Sequence, residues 1–345
     1  MRFLQVDFEQ TKKYFNALKG TKSQVITELI DNTIRLSTET VKVSLKTSDL
    51  QERRIELSHE EMKTLCSMKT KGDLTFKEGF VYLNDRNTNI EYSVSAQGSQ
   101  NISISDGRFI ECECKELKET LKGVLFGKAK NESRPILTGV CFDSNKFVTV
   151  DGYRITMKYI NTSQNTKLIP KIVIPGPTAE LLTKVLPNKG QCRIETDGEL
   201  VTISYENVSI TSTLLQGEYL NYNQALTYDS EWELKTNRLK VLECVQFFLD
   251  KVTDKTKMEP IKLNLNIDSI LTVDGNEIQA EYLKTGYKDT AIYTNGIFFN
   301  PKYLKEALEH INDDEIEIHL ISALTPMIIY HSQGKDLILP IRKNA

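Results

Sequence analysis

One helix-and-strand pattern is written three times along this chain, and that repetition narrows the possible folds more than any single motif does. Three segments with apolar side chains at helical spacing stand as first helices: EQTKKYFNALKG (9–20), KELKETLKGVLFGKAK (115–130) and TNRLKVLECVQFFLDKV (236–252). Three more stand as second helices: HEEMKTLCSM (59–68), PTAELLTKVL (177–186) and PKYLKEALEHI (301–311). Leu117 and Leu182 lie 65 residues apart (182 − 117), and Leu239 and Leu304 repeat that spacing (304 − 239). In the first copy the markers Thr11 and Met62 are 51 apart (62 − 11), so that copy is 14 residues shorter between its helices (65 − 51).

Each second helix is followed by runs in which apolar and polar residues alternate, as in QCRIETDGELVTISYENVSITSTLL, and such runs read as half-buried strands. Helix, strands, helix, strands predicts an α+β unit whose two helices lie side by side on an antiparallel sheet. Boundaries near 107/108 and 229/230 give copies 1–107, 108–229 and 230–345. Each is long enough to bury a core of its own.

With 39% hydrophobic and 26% charged residues, the composition is that of a soluble globular protein. No run approaches the ~18 apolar residues that cross a bilayer, and MRFLQVDFEQ has no apolar signal core, so the expectation is a cytoplasmic protein without a membrane partner. A net charge of −3 gives the whole molecule no pull toward DNA, which leaves local placement of charge to decide.

Catalytic and metal chemistry find little support. The six cysteines form no C-x-x-C; Cys112 and Cys114 alternate with Glu111 and Glu113 in FIECECK, which predicts thiols facing the core of a strand. A structural zinc needs about four ligands, so no metal or other cofactor is expected. His59, His310, His319 and His331 stand singly, and satisfied histidines are the expectation. Asp143, Asp151, Glu195 and Asp197 could be imagined as a two-metal site, yet Asp151-Gly152 and Asp197-Gly198 are turn signals. There is no phosphate-binding G-x-x-x-x-G-K-[ST] loop. A non-enzymatic protein is expected.

The most informative stretch is RPILTGVCFDSNKFVTVDGYRITMKY (134–159). ILTGVCF and KFVTV read as neighbouring antiparallel strands, and Asp151-Gly152 supplies a turn that presents Tyr153, Arg154 and Ile155 at a strand start. An Arg between an aromatic and an aliphatic residue at such a corner suits a groove for an extended peptide. RPILTGVCF followed by VTVDGYRIT closely resembles the central domain of the bacterial DNA polymerase III beta subunit, the replicative sliding clamp family. Tyr153 stands where that family usually has His, and Val150 where it has Thr. LLQGEYLNYNQAL (214–226) is similar to its L-x-x-G-x-F-P-D-Y segment, and LILPIR (337–342) to its closing L-x-L-P-x-R. The first copy lacks the family's I-L-x-G-V and A-T-D motifs, and residues 21–57 are left without a reading.

The resemblance implies a ring of six domains made by two chains joined head to tail, encircling duplex DNA irrespective of sequence. It implies that Ile102, Ile104, Val252 and Thr253 lie at the chain-to-chain interface. It places helices along the hole, where Lys12, Lys13, Lys118, Lys122, Lys128, Arg134, Lys184 and Lys240 would face phosphates; Lys118 and Lys122, four apart, share a helix face. It further implies a groove for a short Gln-Leu-Phe-type motif from the DNA polymerase III alpha subunit, the clamp loader and repair proteins. Its walls would be Leu137, Val150, Gly152, Tyr153, Arg154 and Ile155, joined by Leu220 and Ala225. Met258, Asn300, Tyr303, Leu324 and Pro326 would complete them with Leu337, Ile338, Leu339, Pro340, Ile341 and Arg342. Arg154 and Asn300 are expected to fix the peptide's direction, and Gln224 replaces a residue that is usually basic. The function implied is that of a processivity factor; the other reading is an accessory or mobile-element clamp-like protein that binds peptides without closing a ring.

Overall fold

The computed structural model describes residues 2–3, 5–19, 24–30, 33–46, 55–67, 73–77, 80–85, 88–93, 108–131, 133–163, 169–253, 257–266, 270–285 and 295–342. In chain order the first elements are β1 (Arg2–Phe3), α1 (Gln5–Lys19), β2 (Ile26–Ile30), β3 (Thr33–Ser37), β4 (Val41–Lys46), β5 (Ile55–Leu57), α2 (His59–Ser67), β6 (Asp73–Lys77), β7 (Phe80–Asp85), β8 (Thr88–Ser93) and β9 (Phe109–Glu113). Next come α3 (Cys114–Leu125), β10 (Val140–Asp143), β11 (Lys146–Val150), β12 (Arg154–Tyr159), β13 (Ile172–Ile174), α4 (Gly176–Val185), β14 (Gln191–Thr196), β15 (Leu200–Tyr205), β16 (Val208–Thr213) and α5 (Tyr222–Ala225). The remainder is β17 (Trp232–Asn237), α6 (Arg238–Lys251), β18 (Ile261–Asn266), β19 (Ile270–Val273), β20 (Asn276–Lys284), β21 (Ile297–Phe299), α7 (Pro301–Glu309), β22 (Glu315–Leu320), β23 (Met327–His331) and β24 (Gly334–Ile338). All six helices expected from the repeat are present, and the described elements form an α+β protein.

The chain divides into two compact units. The first, Met1–Leu121 with Asn161–Gln216, holds an eight-stranded sheet in the order β5-β2-β3-β4-β16-β15-β14-β9. Its core follows the two-residue period of its strands: Val201, Ile203 and Tyr205 of β15 are buried, while Thr202 turns the other way and meets Thr211 at 3.0 Å. β4 pairs with β16, Val43 opposite Ile210, so strands from the first and second copies continue one sheet. α1 packs against α4 of the next copy and also meets its own second helix, with the Phe15 and His59 rings 5.3 Å apart, and α6 and α7 pair within one copy.

The second unit, Lys122–Ile160 with Gly217–Ala345, has strands in the order β10-β11-β12-β24-β23-β22-β17-β20-β19-β18-β21. Here β12 joins β24, Ile155 opposite Leu337, and again links strands of two copies. Trp232, Phe299, Leu304, Leu308, Ile318 and Ile329 lie in its main core.

Local endings differ from the sequence expectation for physical reasons. α3 stops at Leu125 rather than near Lys130, because the next turn brings Gly127 against the sheet: a Cβ there would lie 2.6 Å from Thr149 Oγ1 and 2.9 Å from Thr156 Oγ1. Cys114, expected on a strand, opens α3, yet it is buried like Cys112. Residues 135–138 of RPILTGVCF form a 3-10 turn, with Pro135 at its first position supplying a fixed φ, and the strand begins only at Val140.

Candidate functional site

The Asp151-Gly152 corner is built as its residue types demand. Asp151 Oδ1 accepts from the N–H groups of Tyr153 (2.9 Å) and Arg154 (3.1 Å), and Gly152 takes a φ of +95° that a side chain would strain. Tyr153 is left 63% exposed, and Arg154, its neighbour on the strand, only 4%. The Arg154 guanidinium donates through Nε to Asp151 Oδ2 (2.9 Å), through one terminal nitrogen to the Phe126 carbonyl (2.6 Å) and through the other to Glu306. It lies 4.2 Å from the Tyr303 ring centre and 5.2 Å from that of Phe126. Arg154 is thus a buried post tying the turn to the residues after α3 and to α7, in place of the peptide-orienting role expected of it. Asn300 is committed similarly: its side chain caps α7 by accepting from Lys302 N at 3.0 Å.

The C-terminal strand shapes the surface around this corner. β24 continues past Ile338, which faces Arg154, so that Leu339 N donates to Tyr153 O at 2.9 Å and Ile341 N to Phe298 O at 2.7 Å. The tail therefore runs from the turn to the edge of β21, and the Tyr153 and Tyr303 rings stand 6.4 Å apart above it. Met327 pairs with Ile338, which brings the preceding Ser322–Thr325 turn and its 65% exposed Leu324 to the same end of the sheet. Met258 lines a cavity of about 250 Å³ with Pro301, Lys302 and Lys305 of α7.

The anticipated groove residues therefore sort into layers. Tyr153, Leu220, Met258, Leu324 and Leu339 are five of the ten large hydrophobic side chains most exposed among the described residues. Gly152, Ala225 and Arg342 are also exposed, while Tyr303, Pro326, Pro340 and Ile341 are half-buried. Leu137, Val150, Ile155, Leu337 and Ile338 are core residues that support the surface without forming it.

The basic residues separate in the same way. In the first unit, Lys13 Nζ donates to Val185 O (2.8 Å) and Lys118 Nζ to Leu186 O and Asn188 Oδ1 (both 3.0 Å); Lys12 is half-buried and Lys184 exposed. In the second, Lys122, Arg134 and Lys240 are exposed and Lys128 is half-buried. Of the interface residues, Val252 is half-buried and Thr253 exposed, and Ile102 and Ile104 lie outside the described residues.

The carboxylates considered for metal chemistry are engaged locally. Asp197 Oδ1 accepts from Glu199 N and Leu200 N, Asp143 accepts from Tyr222 Oη (2.5 Å), and Glu195 pairs with Arg193 (2.8 Å). Among the described residues no three His, Cys, Asp or Glu side chains converge as a metal site. His59 accepts from Val25 N, and His310 stacks on Phe126.

A buried cluster went unread in the sequence. Lys158 Nζ lies 2.8 Å from His331 Nε2 and 3.7 Å from Asp336 Oδ2, all three being almost fully enclosed. Burial holds the Lys158 ammonium below its ordinary range, opposed by the charge of Asp336. Strand alternation groups Arg154, Thr156 and Lys158 on one face; the missing signal was that this face is covered, not solvated.

Residues 111–221 match the family model described as DNA polymerase III beta subunit, central domain. The chain is 26% identical over 269 residues to the beta sliding clamp of Mycoplasma capricolum, covering 74% of this chain and 71% of that one. It is 24% identical over 320 residues to the beta sliding clamp of Lactococcus lactis, covering 86% and 77%. Among solved structures, a putative DNA polymerase III beta subunit from Eubacterium rectale superposes with a TM-score of 0.84 at 20% identity, covering 99% of both chains. The beta subunit from Thermotoga maritima gives 0.81 at 17% identity over 100% of this chain and 99% of its own. Residues 111–221 are thus similar to the central domain of the DNA polymerase III beta subunit, and the chain as a whole has the fold of the solved beta subunits.

Proposed function

We propose that the chain is a non-catalytic DNA sliding clamp: three clamp domains, 1–107, 108–229 and 230–345, whose dimer encircles duplex DNA and tethers a polymerase. In this reading the protein holds DNA through topology, so its phosphate contacts can be weak and blind to sequence. Partners dock on the second unit. The observation that carries the reading is the open apolar surface around Tyr153, set on a turn inside the segment that matches the family's central domain. Solvent-facing Tyr153, Leu324 and Leu339 offer affinity, and the backbone at the turn and along the C-terminal tail offers direction. The occupant is a short linear peptide of the Gln-Leu-Phe type, as carried by a polymerase alpha subunit, a clamp loader or a repair protein.

Fluorescence anisotropy with such a peptide tests the docking site. Tyr153→Ala and Leu324→Asp remove exposed side chains that no core depends on, so the melting temperature should hold while affinity falls roughly tenfold or more for each. Unaltered affinity in both variants would contradict the site.

A further inference from the structure

Two helices of the first unit, α1 and α3, meet the C-terminal end of α4 and the loop after it. Lys13 of α1 gives its ammonium to Val185 O, Lys118 of α3 gives its own to Leu186 O and Asn188 Oδ1, and Cys114 N donates to Gly190 O at 2.9 Å. A helix ends with carbonyls that lack intrahelical partners and carry the negative pole of its dipole, so cations placed there stabilise it. Lys13 sits below its ordinary pKa, first because of burial and second because Lys118 is close. Two ammonium groups near enough to repel each other are held by neighbouring acceptors, Val185 O for Lys13 and Leu186 O with Asn188 Oδ1 for Lys118.

We propose that Lys13 and Lys118 are positioning residues that fasten the end of α4 and the following loop, residues 186–190, to α1 and α3, and that Lys184, whose charge they place, is the one of the three that meets the DNA backbone. This rests on the reading of the chain as a DNA clamp and divides its basic residues by task. An ammonium bonded to carbonyls at 2.8 to 3.0 Å would have to surrender those bonds to neutralise a phosphate. Lys184, exposed in the last turn of α4, surrenders nothing, and the fastening of that turn determines where its charge points.

Equilibrium binding of the full chain to a duplex oligonucleotide, followed from roughly 50 to 200 mM salt, separates the two tasks, because each phosphate contact contributes about 0.9 to the slope of log K against log salt. Lys184→Met should lower the slope by about that amount. Lys118→Met should leave the slope at the wild-type value and weaken binding equally at every salt concentration. In the free protein it should also speed amide hydrogen exchange at residues 186–190 by about two- to fivefold. Lys118→Arg, which keeps a donor, should restore both affinity and exchange. A lowered slope in Lys118→Met with unchanged exchange would overturn the assignment. If the wild type bound duplex without salt dependence, the DNA reading and the role of Lys184 would fall, while accelerated exchange in Lys118→Met would still support the fastening.

Discussion

Arg154 joins three acceptors and two aromatic rings through one guanidinium, so its loss would free Asp151 and Glu306 and open a gap beside Tyr303. Arg154→Met should cost about 2–3 kcal/mol and lower the melting temperature by several degrees, seen by thermal denaturation. Lys158 tests a buried charge. Removing it alone leaves Asp336 enclosed without its cation and should cost about 3–5 kcal/mol, whereas Lys158→Met with Asp336→Leu should return to within about 2 kcal/mol of wild type in urea unfolding. The pH dependence has a definite sign. The folded state holds the Lys158 pKa below 10.5, so between the folded and unfolded values the unfolded chain binds more protons, and stability rises with pH there. Wild type should therefore gain on the apolar double variant as pH climbs toward 10.5, and no relative gain would contradict the assignment. At this scale the sequence was half legible. Asp151-Gly152 could be read because Asp and Gly fit few other geometries; Lys158 could not, because alternation along a strand does not say what covers its polar face.

Helices were legible wherever an apolar stripe recurred at helical spacing, which is why all six expected ones are found. Their ends were not, since an ending depends on what the next turn would strike. α3 ends where Gly127 comes under Thr149 and Thr156. The seam between β12 and β24 is a sharper case: a Cβ on Gly334 would fall 1.9 Å from Met157 O, a backbone atom that cannot swing aside. Gly334→Ala should cost about 3 kcal/mol or more and speed exchange of the β12 and β24 amides, whereas an alanine at solvent-facing Gly190 should act only through its positive φ. Equal stability of wild type and Gly334→Ala would contradict the seam. The seams between β4 and β16 and between β12 and β24 were also hidden from the sequence, because backbone hydrogen bonds choose those partners and no side-chain pattern announces them. Residues 26–57, left unread, supply four strands of the first unit's sheet.

At the scale of the whole molecule, the recurring 65-residue spacing (182 − 117 and 304 − 239) was enough to read a threefold repeat. It did not reveal that each compact unit draws on two copies. The proposed docking surface was drawn from the motifs at 134–159, 214–226 and 337–342, which do not say which of their side chains are exposed. Tyr153 and Arg154 are adjacent in sequence, and one faces solvent while the other is enclosed by Tyr303, Phe126 and Glu306. A chain of 39.4 kDa that works as a closed dimer should scatter light as roughly twice that mass at micromolar concentration, and a mass of one chain would favour the accessory, peptide-binding reading. The most direct measurement is retention on DNA of different topology. Protein loaded onto nicked circular duplex should stay bound through a wash of roughly 0.5 M salt, which screens phosphate contacts, and should be released once the circle is cut to give free ends. Equal retention on circular and linear DNA, or loss from both in the wash, would contradict a clamp that holds DNA by encircling it.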